Sequence, residues 1–278
     1  MGKFDGMLFC TDLDGTLLTH EKEVSKENRE AIEYFKREGG YFTFITGRLP
    51  CTAVDMYEAV RPNAPIGCIN GGGVYDMAKG EYLWNNTLPQ ESLEVIDYVY
   101  DNMPDIGIQL NSPEGIYFAR DNSAMVYFRK VTATEYVYKH HRELGGEPLS
   151  KVIFAHEDNL RVLEIRKEIE KLPIAEKFDF ITAAADFYEM LPKGNSKGSV
   201  LRKLADILGI DMRRTIAVGD YENDISMIKA AGIGYAVANA IPEARAAADR
   251  VTVSNAEHAI AKIIEEIDRG IVTFPDVK

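Results

Sequence analysis

The chain has 278 residues, enough for one large domain or two smaller ones, and its 46% hydrophobic and 27% charged residues are typical of a protein that folds by itself. It carries 32 Lys and Arg against 44 Asp and Glu, and this net charge of −12 argues against a general affinity for nucleic acid or anionic membranes. No apolar run approaches the roughly 18 residues of a membrane span. The first six residues lack a signal-peptide core, and the three cysteines show no zinc or disulfide spacing, so we expect a cytoplasmic protein.

The first 84 residues predict alternating strands and helices. Residues 7–11 form a short, unbroken apolar run, which is typical of a parallel strand covered on both faces. Ser25 is a suitable N-cap for the helix that follows, and Gly39 and Gly40 end that helix. The next predicted elements are a strand over 41–46, a helix through Ala59 that Pro62 closes, and a strand over 66–69.

From about Trp84 the pattern changes to that of an inserted domain. Residues 106–110 and 115–119 alternate as a hairpin around 111–114, and two further strand-helix stretches reach Leu191. We therefore interpret 85–190 as an inserted α+β domain and the remainder, 1–84 and 191–278, as the core of the protein. In the second part of the core we expect a helix over 196–208, a strand over 215–218, a helix, a strand over 235–238 and a helix over 256–267.

Polar side chains follow three of the predicted core strands at the point where each strand ends. Short links between alternating strands and helices favour an open parallel sheet, whose ligand site lies beyond the carboxyl ends of the strands. The sequence therefore predicts that these side chains meet in one crevice. They are Asp12 and Asp14 after the first strand, Thr46, Gly47 and Arg48 after the second, and Asp220, Asn223 and Asp224 after a later one.

Four carboxylates in one crevice require a cation. Like charges about 4 Å apart repel by about 4 kcal/mol at an effective dielectric of 20. Because the neighbouring ligands are oxygens, without His or Cys, the set favours magnesium over zinc. Thr46, the backbone amides around Gly47 and a lysine are groups that can hold phosphate oxygens. Each motif alone is a common turn or a common acidic pair, but their order at successive strand ends is not explained by chance.

Taken together, the motifs resemble those of the haloacid dehalogenase (HAD) superfamily, specifically its Cof-like sugar-phosphate phosphatases with a large inserted C2-type cap. The resemblance covers nearly the whole chain. It implies an α/β fold class, with a doubly wound, mostly parallel Rossmann-like sheet and an inserted α+β cap domain. The motifs that carry it are Asp12-Leu13-Asp14-Gly15-Thr16, Thr46-Gly47-Arg48, Ser196-Lys197-Gly198 and Gly219-Asp220-Tyr221-Glu222-Asn223-Asp224, with Asn70-Gly71 as a further match.

The resemblance implies a role for each acidic residue. Asp12 is the implied nucleophile, which forms an aspartyl-phosphate, and Asp14 is the implied general acid and base. To act as an acid Asp14 must start protonated, and we expect the neighbouring carboxylates to raise its pKa. Mg²⁺ is implied to bind the side chains of Asp12 and Asp220 and the backbone carbonyl of Asp14, with Asp224 orienting these ligands.

The other motif residues are implied to hold the phosphate. Arg48 either joins them or, as an arginine at a helix start, ties down a neighbouring carboxylate. Asn70 is a further candidate for the site. The phosphate-binding residues implied by the family pattern are Thr46, Gly47, Lys197 and Asn223.

The sequence thus predicts a magnesium-dependent phosphatase that acts on small-molecule phosphate monoesters, with sugar phosphates as the expected class. One alternative is a phosphomutase of the phosphomannomutase type, which shares the Asp-x-Asp-Gly-Thr opening. A second is a catalytically inactive binding protein on the same fold, which is disfavoured because Asp12, Asp14, Lys197 and Asp220 are all present. The insert carries no matching catalytic motif, so its sequence leaves the substrate open.

Overall fold

The computed structural model describes residues 2–113, 115–132 and 134–274. The chain divides into two compact units: one contains the residues up to Trp84 together with those from Ser196 onward, and the other is Asn85–Asn195. The second unit extends five residues past the boundary at 190 that we placed from the sequence. Glu114, which we placed in the turn of the predicted hairpin, lies outside the described residues.

The first unit begins with strands and helices in alternation. Ser25 caps the first helix, because its side-chain oxygen accepts a hydrogen bond from the Asn28 amide at 3.3 Å. The elements of this segment are β1 (Leu8–Thr11), α1 (Lys26–Arg37), β2 (Tyr41–Phe44), α2 (Val54–Val60), β3 (Ile66–Cys68), β4 (Gly73–Asp76) and β5 (Glu81–Asn85).

The insert is built from five strands and three helices within the described residues. Its predicted hairpin is present, with both strands slightly longer than the sequence indicated. The elements are α3 (Ser92–Asn102), β6 (Gly107–Ser112), β7 (Gly115–Arg120), α4 (Ser123–Thr132), β8 (Lys151–Ala155), α5 (Asn159–Ile169), β9 (Phe178–Ala184) and β10 (Phe187–Pro192).

The chain then completes the first unit. The helix predicted at 196–208 is confirmed: Ser196 caps it through a reciprocal pair of hydrogen bonds with Ser199, and Gly209 ends it in the left-handed conformation. The elements are α6 (Lys197–Leu208), β11 (Thr215–Gly219), α7 (Ile225–Ala230), β12 (Ile233–Ala236), α8 (Pro242–Ala247), β13 (Arg250–Val251) and α9 (Ala259–Asp268).

The first unit has a five-stranded sheet in the order β13-β12-β11-β1-β2, and every neighbouring pair is parallel. Helices cover both faces of it. Phe9 of β1 packs into an apolar cluster that includes α1 and α9, whereas Leu8 and Cys10 pack on the opposite face with α6. Because strand side chains alternate between faces, an unbroken apolar strand needs cover on both sides. The expected α/β class with a parallel central sheet is confirmed.

Two further sheets occur within the described residues: one in the insert and one formed by β3, β4 and β5. In the insert, five strands pair in the order β7-β6-β8-β10-β9, and each pair is antiparallel. Strand β3 pairs antiparallel with β4 in a three-stranded sheet that also contains β5. A bridge from Ile45 to Gly67 lies just beyond the end of β2. The sequence missed β4 because Gly71-Gly72-Gly73 suggested only a turn.

Two other predicted elements differ in detail, and two short elements were not predicted. The strand predicted at 235–238 is two residues late, since β12 contains Gly234, a residue with low strand propensity. The last helix starts at Ala259 rather than 256, because His258 adopts a left-handed backbone with φ of 64°. The elements α8 and β13 are too short to show a helical or strand pattern in the sequence.

Within the described residues, no helix combines the length and apolar character needed to cross a bilayer.

Candidate active site

Asp12 and Lys197 form the centre of the candidate site, although they lie 185 residues apart in the sequence. Asp12 directly follows β1 and is 8% exposed, and its amide donates a hydrogen bond to the Val218 carbonyl of the neighbouring strand at 3.0 Å. Lys197 is the first residue of α6 and is 1% exposed. Its ammonium donates to Asp12 Oδ1 at 2.6 Å and to Asp224 Oδ1 at 2.5 Å.

The buried ammonium stays charged in this position. Burial by itself lowers the pKa of Lys197, but the carboxylates of Asp12 and Asp224 outweigh burial and raise the pKa above its usual value. The site therefore holds a permanent positive charge beside the carboxylate that ends β1, which suits the binding of an anionic substrate.

Asp224 connects this ion pair to the loop that follows β11. Its Oδ2 accepts hydrogen bonds from the backbone amides of Asp220 at 2.9 Å and Tyr221 at 3.0 Å. Gly219 permits this loop, because a Cβ at that position would lie 2.3 Å from the Asp224 Cβ. Both oxygens of Asp224 are therefore occupied by Lys197 and the two amides, and the residue orients its neighbours.

Three carboxylates lie close enough together to hold a metal ion. Asp12, Asp220 and Asp224 each offer an oxygen within 4.8 Å of the others. Burial, helped by Asp224, raises the pKa of Asp220 to about 6. Burial also raises the pKa of Asp12, and Asp224 and Asp220 add to this effect while Lys197 opposes it. Three crowded carboxylates are a donor set that a hard divalent cation would fit, with Asp12 and Asp220 as ligands and Asp224 behind them.

The raised pKa of Asp220 gives the metal-free protein a characteristic pH dependence. The unfolded state ionises near the ordinary value of 3.8 and the folded state only near about 6, so the free energy of unfolding should fall as pH rises from 4 to 6. The free energy of unfolding should fall by about 3 kcal/mol at most. The Asp220→Asn variant should not show this fall. Denaturant unfolding in EDTA at pH 4.5 and pH 7 measures this, and equal pH dependence of both proteins would contradict it. Adding Mg²⁺ at pH 7 should stabilise the wild type more than the variant.

Asp14 differs from the sequence expectation in its charge. Its Oδ1 lies 2.7 Å from Lys22 Nζ, and its Oδ2 lies 3.0 Å from Arg48 Nη2. Burial alone would raise the pKa of Asp14, but Arg48 and Lys22 outweigh burial and lower the pKa. The expectation that neighbouring carboxylates raise this pKa was wrong, because the side chain points to two cations. Arg48 thus takes the second of its two predicted roles, that of tying down a carboxylate.

The loop after β1 depends on residues that the motifs only partly indicated. Gly15 has a φ of 81°, and a Cβ there would lie 2.5 Å from Asp220 Oδ2, so only glycine fits. Thr16 donates from its hydroxyl to Asp220 Oδ1 at 2.6 Å. Asn239 donates to the Gly15 carbonyl at 2.8 Å. Thr16 stands inside the first motif and could have been singled out, whereas Asn239 and Lys22 carry no local signal.

The predicted phosphate-binding residues Thr46, Gly47 and Asn223 form a second group of contacts around Asn70, the further candidate for the site. Thr46 is 2% exposed; its hydroxyl accepts from the Arg48 amide at 3.3 Å, and its carbonyl accepts from the Asn70 amide at 3.1 Å. Gly47 packs against the Asn70 side chain, since a Cβ there would lie 2.8 Å from Asn70 Nδ2. Asn223 Nδ2 donates to Asn70 Oδ1 at 3.0 Å. Asn70 therefore links the loops after β2 and β11.

Several known proteins are similar to this chain over most of its length. The family model described as haloacid dehalogenase-like hydrolase matches residues 9–264. The protein YxeH of Bacillus subtilis (strain 168) is 32% identical, over 94% of this chain and 97% of YxeH. From the same organism, 5-amino-6-(5-phospho-D-ribitylamino)uracil phosphatase YitU is 28% identical, over 93% of this chain and 96% of YitU.

A solved structure shows the same fold. The structure of the HAD subclass IIB sugar phosphatase BT4131 matches with a TM-score of 0.82 and 22% identity, over 96% of this chain and 100% of that chain. Neither alternative raised from the sequence, the phosphomutase or the inactive binding protein, is favoured by these comparisons.

Proposed function

Because the chain belongs to the haloacid dehalogenase-like hydrolase family and is a phosphoric monoester hydrolase, we propose that it hydrolyses small sugar phosphates with Mg²⁺ and an aspartyl-phosphate intermediate. The observation that carries this proposal is the contact of Asp12, at the end of β1, with the buried ammonium of Lys197 at 2.6 Å. A carboxylate and a fixed positive charge then act on one phosphoryl group.

Asp12 is the proposed nucleophile. Its carboxylate attacks phosphorus, the bond to the alcohol oxygen breaks, and water later cleaves the acyl phosphate to release inorganic phosphate and free Asp12. Lys197 holds the Asp12 carboxylate in place and stabilises negative charge on the transferring phosphoryl oxygens. Mg²⁺, held by Asp12, Asp220 and the Asp14 carbonyl, would supply further charge stabilisation at the same oxygens.

Asp14 is the proposed general acid and base. It must take up a proton when the anionic substrate binds, donates that proton to the departing alkoxide, and then accepts a proton from the attacking water. The ionised form that Arg48 and Lys22 favour is the form needed for the second step. Thr46, Gly47 and Asn223 would complete the phosphate contacts through a hydroxyl, a backbone amide and a side-chain amide.

Sugar phosphates are the proposed substrate class on the strength of the relatives. YitU is named as a 5-amino-6-(5-phospho-D-ribitylamino)uracil phosphatase, and BT4131 as a sugar phosphatase. All the catalytic residues proposed above lie outside the insert. We infer that the insert, the compact unit Asn85–Asn195, contributes selectivity and water exclusion and leaves the chemistry to the core.

One screen tests the proposed function. Phosphate release is measured over a panel of pentose, hexose and alditol phosphates together with nitrophenyl phosphate, first in EDTA and then with Mg²⁺. We expect turnover that requires Mg²⁺ and favours sugar phosphates. If hexose 1-phosphate were converted to the 6-phosphate without release of phosphate, the protein would be a mutase instead.

Replacing Asp14 with Asn should reduce turnover by an amount that depends on the leaving group. An amide cannot donate the proton that a sugar alkoxide needs, and such general acids contribute about 10² to 10⁴-fold. Nitrophenolate leaves without protonation, so kcat for nitrophenyl phosphate should fall far less than kcat for a sugar phosphate. Steady-state assays of both substrates with the variant decide the matter, and an equal loss for both would rule out the acid role.

A further inference from the structure

A short extended segment lies along one edge of the insert sheet. Strand β7 is the first strand in the order β7-β6-β8-β10-β9, so β6 occupies only one of its sides. On the other side, the Phe118 amide donates to the Val137 carbonyl at 2.9 Å, and the Lys139 amide donates to the Phe118 carbonyl at 3.3 Å. These bonds pair Tyr138 parallel with Phe118. We call residues 135–139 the edge segment, because they form the outer border of the insert sheet.

The side chains of the edge segment alternate between the two faces of the sheet. Tyr136 packs against Phe118, with ring centroids 5.6 Å apart. The Lys139 ammonium lies 4.4 Å from the centroid of the Tyr117 ring. Because Tyr117 and Phe118 are neighbours in β7, their side chains point to opposite faces. One face therefore carries Tyr136 and Tyr138, and the other carries Glu135, Val137 and Lys139.

The outward backbone groups of the edge segment are unpaired within the described residues. In an extended strand, the amide and carbonyl of one residue point to one side, and those of the next residue point to the other. The Val137 carbonyl and the Lys139 amide point to β7, so the amides and carbonyls of Tyr136 and Tyr138 point away from it. In the described part of the chain, these groups make no backbone hydrogen bond. Such an edge is a template for a further strand.

The edge segment is apolar for a border that faces solvent. Tyr136, Val137 and Tyr138 are 49%, 44% and 55% exposed. They form the longest run of exposed large hydrophobic residues in the part of the chain that the structure describes. Edges that must stay free are usually protected by proline or by charges of one sign, whereas this segment has no proline and carries one acidic and one basic residue at its two ends.

The order of residues in the edge segment fits a second copy of itself. We consider two copies that run antiparallel about a two-fold axis at Val137. Tyr136 then lies opposite Tyr138 of the second copy, and both residues have outward amides and carbonyls, so each such pair can exchange both hydrogen bonds of an antiparallel ladder. Val137 meets Val137 of the second copy at the axis, where the side chains of a non-hydrogen-bonded pair are closest.

The charges of the edge segment are complementary in the same register. Glu135 lies opposite Lys139 of the second copy at each end, and opposite charges at paired positions stabilise a sheet. A shift of register by two residues in either direction would keep the backbone pattern but would separate Glu135 from Lys139. The Lys139 ammonium already contacts the Glu147 carboxylate of its own chain, and its three donors allow a second carboxylate beside the first.

We propose that two copies of this chain associate through the edge segment and form one continuous sheet from their two inserts. The pairing is symmetric, because the same surface is used by both copies. It involves none of the residues of the candidate active site and is independent of the proposed function. One short edge buries less area than a stable dimer needs, so we expect a weak association, with a Kd of about 10 to 100 µM.

Sedimentation velocity of the full-length protein tests the proposal at concentrations up to about 500 µM, above the expected Kd. We expect a monomer–dimer equilibrium. Glu135→Lys and Lys139→Glu each place like charges opposite one another, and each should weaken the dimer at least tenfold. An equimolar mixture of the two variants again pairs opposite charges at both ends, so it should regain the dimer. The control is Glu157→Lys, which reverses an exposed glutamate of the insert outside the edge segment and should dimerise as the wild type does.

A disulfide cross-link tests the position of the axis, and it decides the matter if Lys139→Glu does not fold. The background is Cys51→Ser, because Cys51 is the exposed cysteine. Val137→Cys places two thiols at the axis, where Cα atoms about 4.5 Å apart lie within disulfide range. Mild oxidation should therefore give a reducible dimer. Tyr136→Cys should give none, because its counterpart lies two residues further along the second copy, beyond the reach of a disulfide.

Four results would overturn the proposal. A wild type that remains monomeric at the highest concentration would leave the strand of another protein as the occupant of the edge. A dimer that both charge variants retain would lie elsewhere on the surface. A mixture that does not regain the dimer, or equal cross-linking at positions 136 and 137, would contradict the antiparallel register. Thermal melts establish that each variant is folded.

Discussion

Replacing Asp12 with Asn is expected to abolish turnover and to leave the fold intact. The amide has nearly the same shape as the carboxylate, but it is a poor nucleophile and a weak metal ligand. We expect a loss in kcat on the order of 10³-fold or more, which corresponds to about 4 kcal/mol of transition-state stabilisation. Phosphate release under saturating substrate and Mg²⁺ measures it.

The Asp12→Asn result needs a control for its effect on charge and folding. Asp206 of α6 is exposed, so Asp206→Asn makes the same chemical change away from the site and should retain wild-type turnover. Mass spectrometry of acid-quenched enzyme should show a phosphoryl group on the wild type and none on Asp12→Asn. Activity of Asp12→Asn within tenfold of the wild type would exclude this residue as the nucleophile.

Replacing Lys197 with Met should impair both activity and stability. The ammonium lies 2.6 Å from Asp12 and 2.5 Å from Asp224, and its removal leaves two buried carboxylates without their cation. Breaking a buried ion pair in this way costs about 3 to 5 kcal/mol. Loss of a preorganised charge at the phosphoryl group costs about 10² to 10³-fold in kcat. Denaturant unfolding and steady-state kinetics measure the two effects.

A second substitution separates the two effects of Lys197→Met. Adding Asp224→Asn removes one of the two buried carboxylates that have lost their cation. The double variant should therefore regain part of the lost stability without regaining activity. Lys203→Met, on the same helix but half-buried, should change neither quantity much. If Lys197→Met kept wild-type kcat, or if the double variant recovered activity together with stability, Lys197 would have only a structural role.

The sequence was sufficient to predict the core of the fold and where its polar residues gather. Strand β1 is an unbroken apolar run, so it had to be covered on both faces, and parallel strands bring their carboxyl ends to one edge. Asp12, Thr46 and Asp220 each come after such a strand. We could therefore predict from the sequence that they lie near one another. The helix after Ser196 was likewise predicted, and the structure shows its Ser196 cap and its end at Gly209.

Only the tertiary structure decided what each side chain contacts. The family pattern implied that Lys197 holds phosphate, but only the structure shows that α6 places it at 1% exposure between the carboxylates of Asp12 and Asp224. Asp14 was expected to be protonated, but its hydrogen bonds from Lys22 and Arg48 favour the ionised form. Asn239 supports the Gly15 carbonyl from 224 residues away. None of these contacts follows from a periodic pattern.

In the insert, too, the sequence predicted the elements, and only the structure decided which side chains are buried. Its sequence predicted strands and a hairpin, but the burial of Gln109 and Asn111 on the face away from α3 and α5 could not be read from it. Polar residues that alternate with apolar ones are usually exposed to solvent, and alternation alone does not distinguish a solvated face from a covered one. Periodicity reports which face of a strand a residue occupies. Burial and pairing depend on which other segments pack there, and packing between distant segments is decided by the fold as a whole.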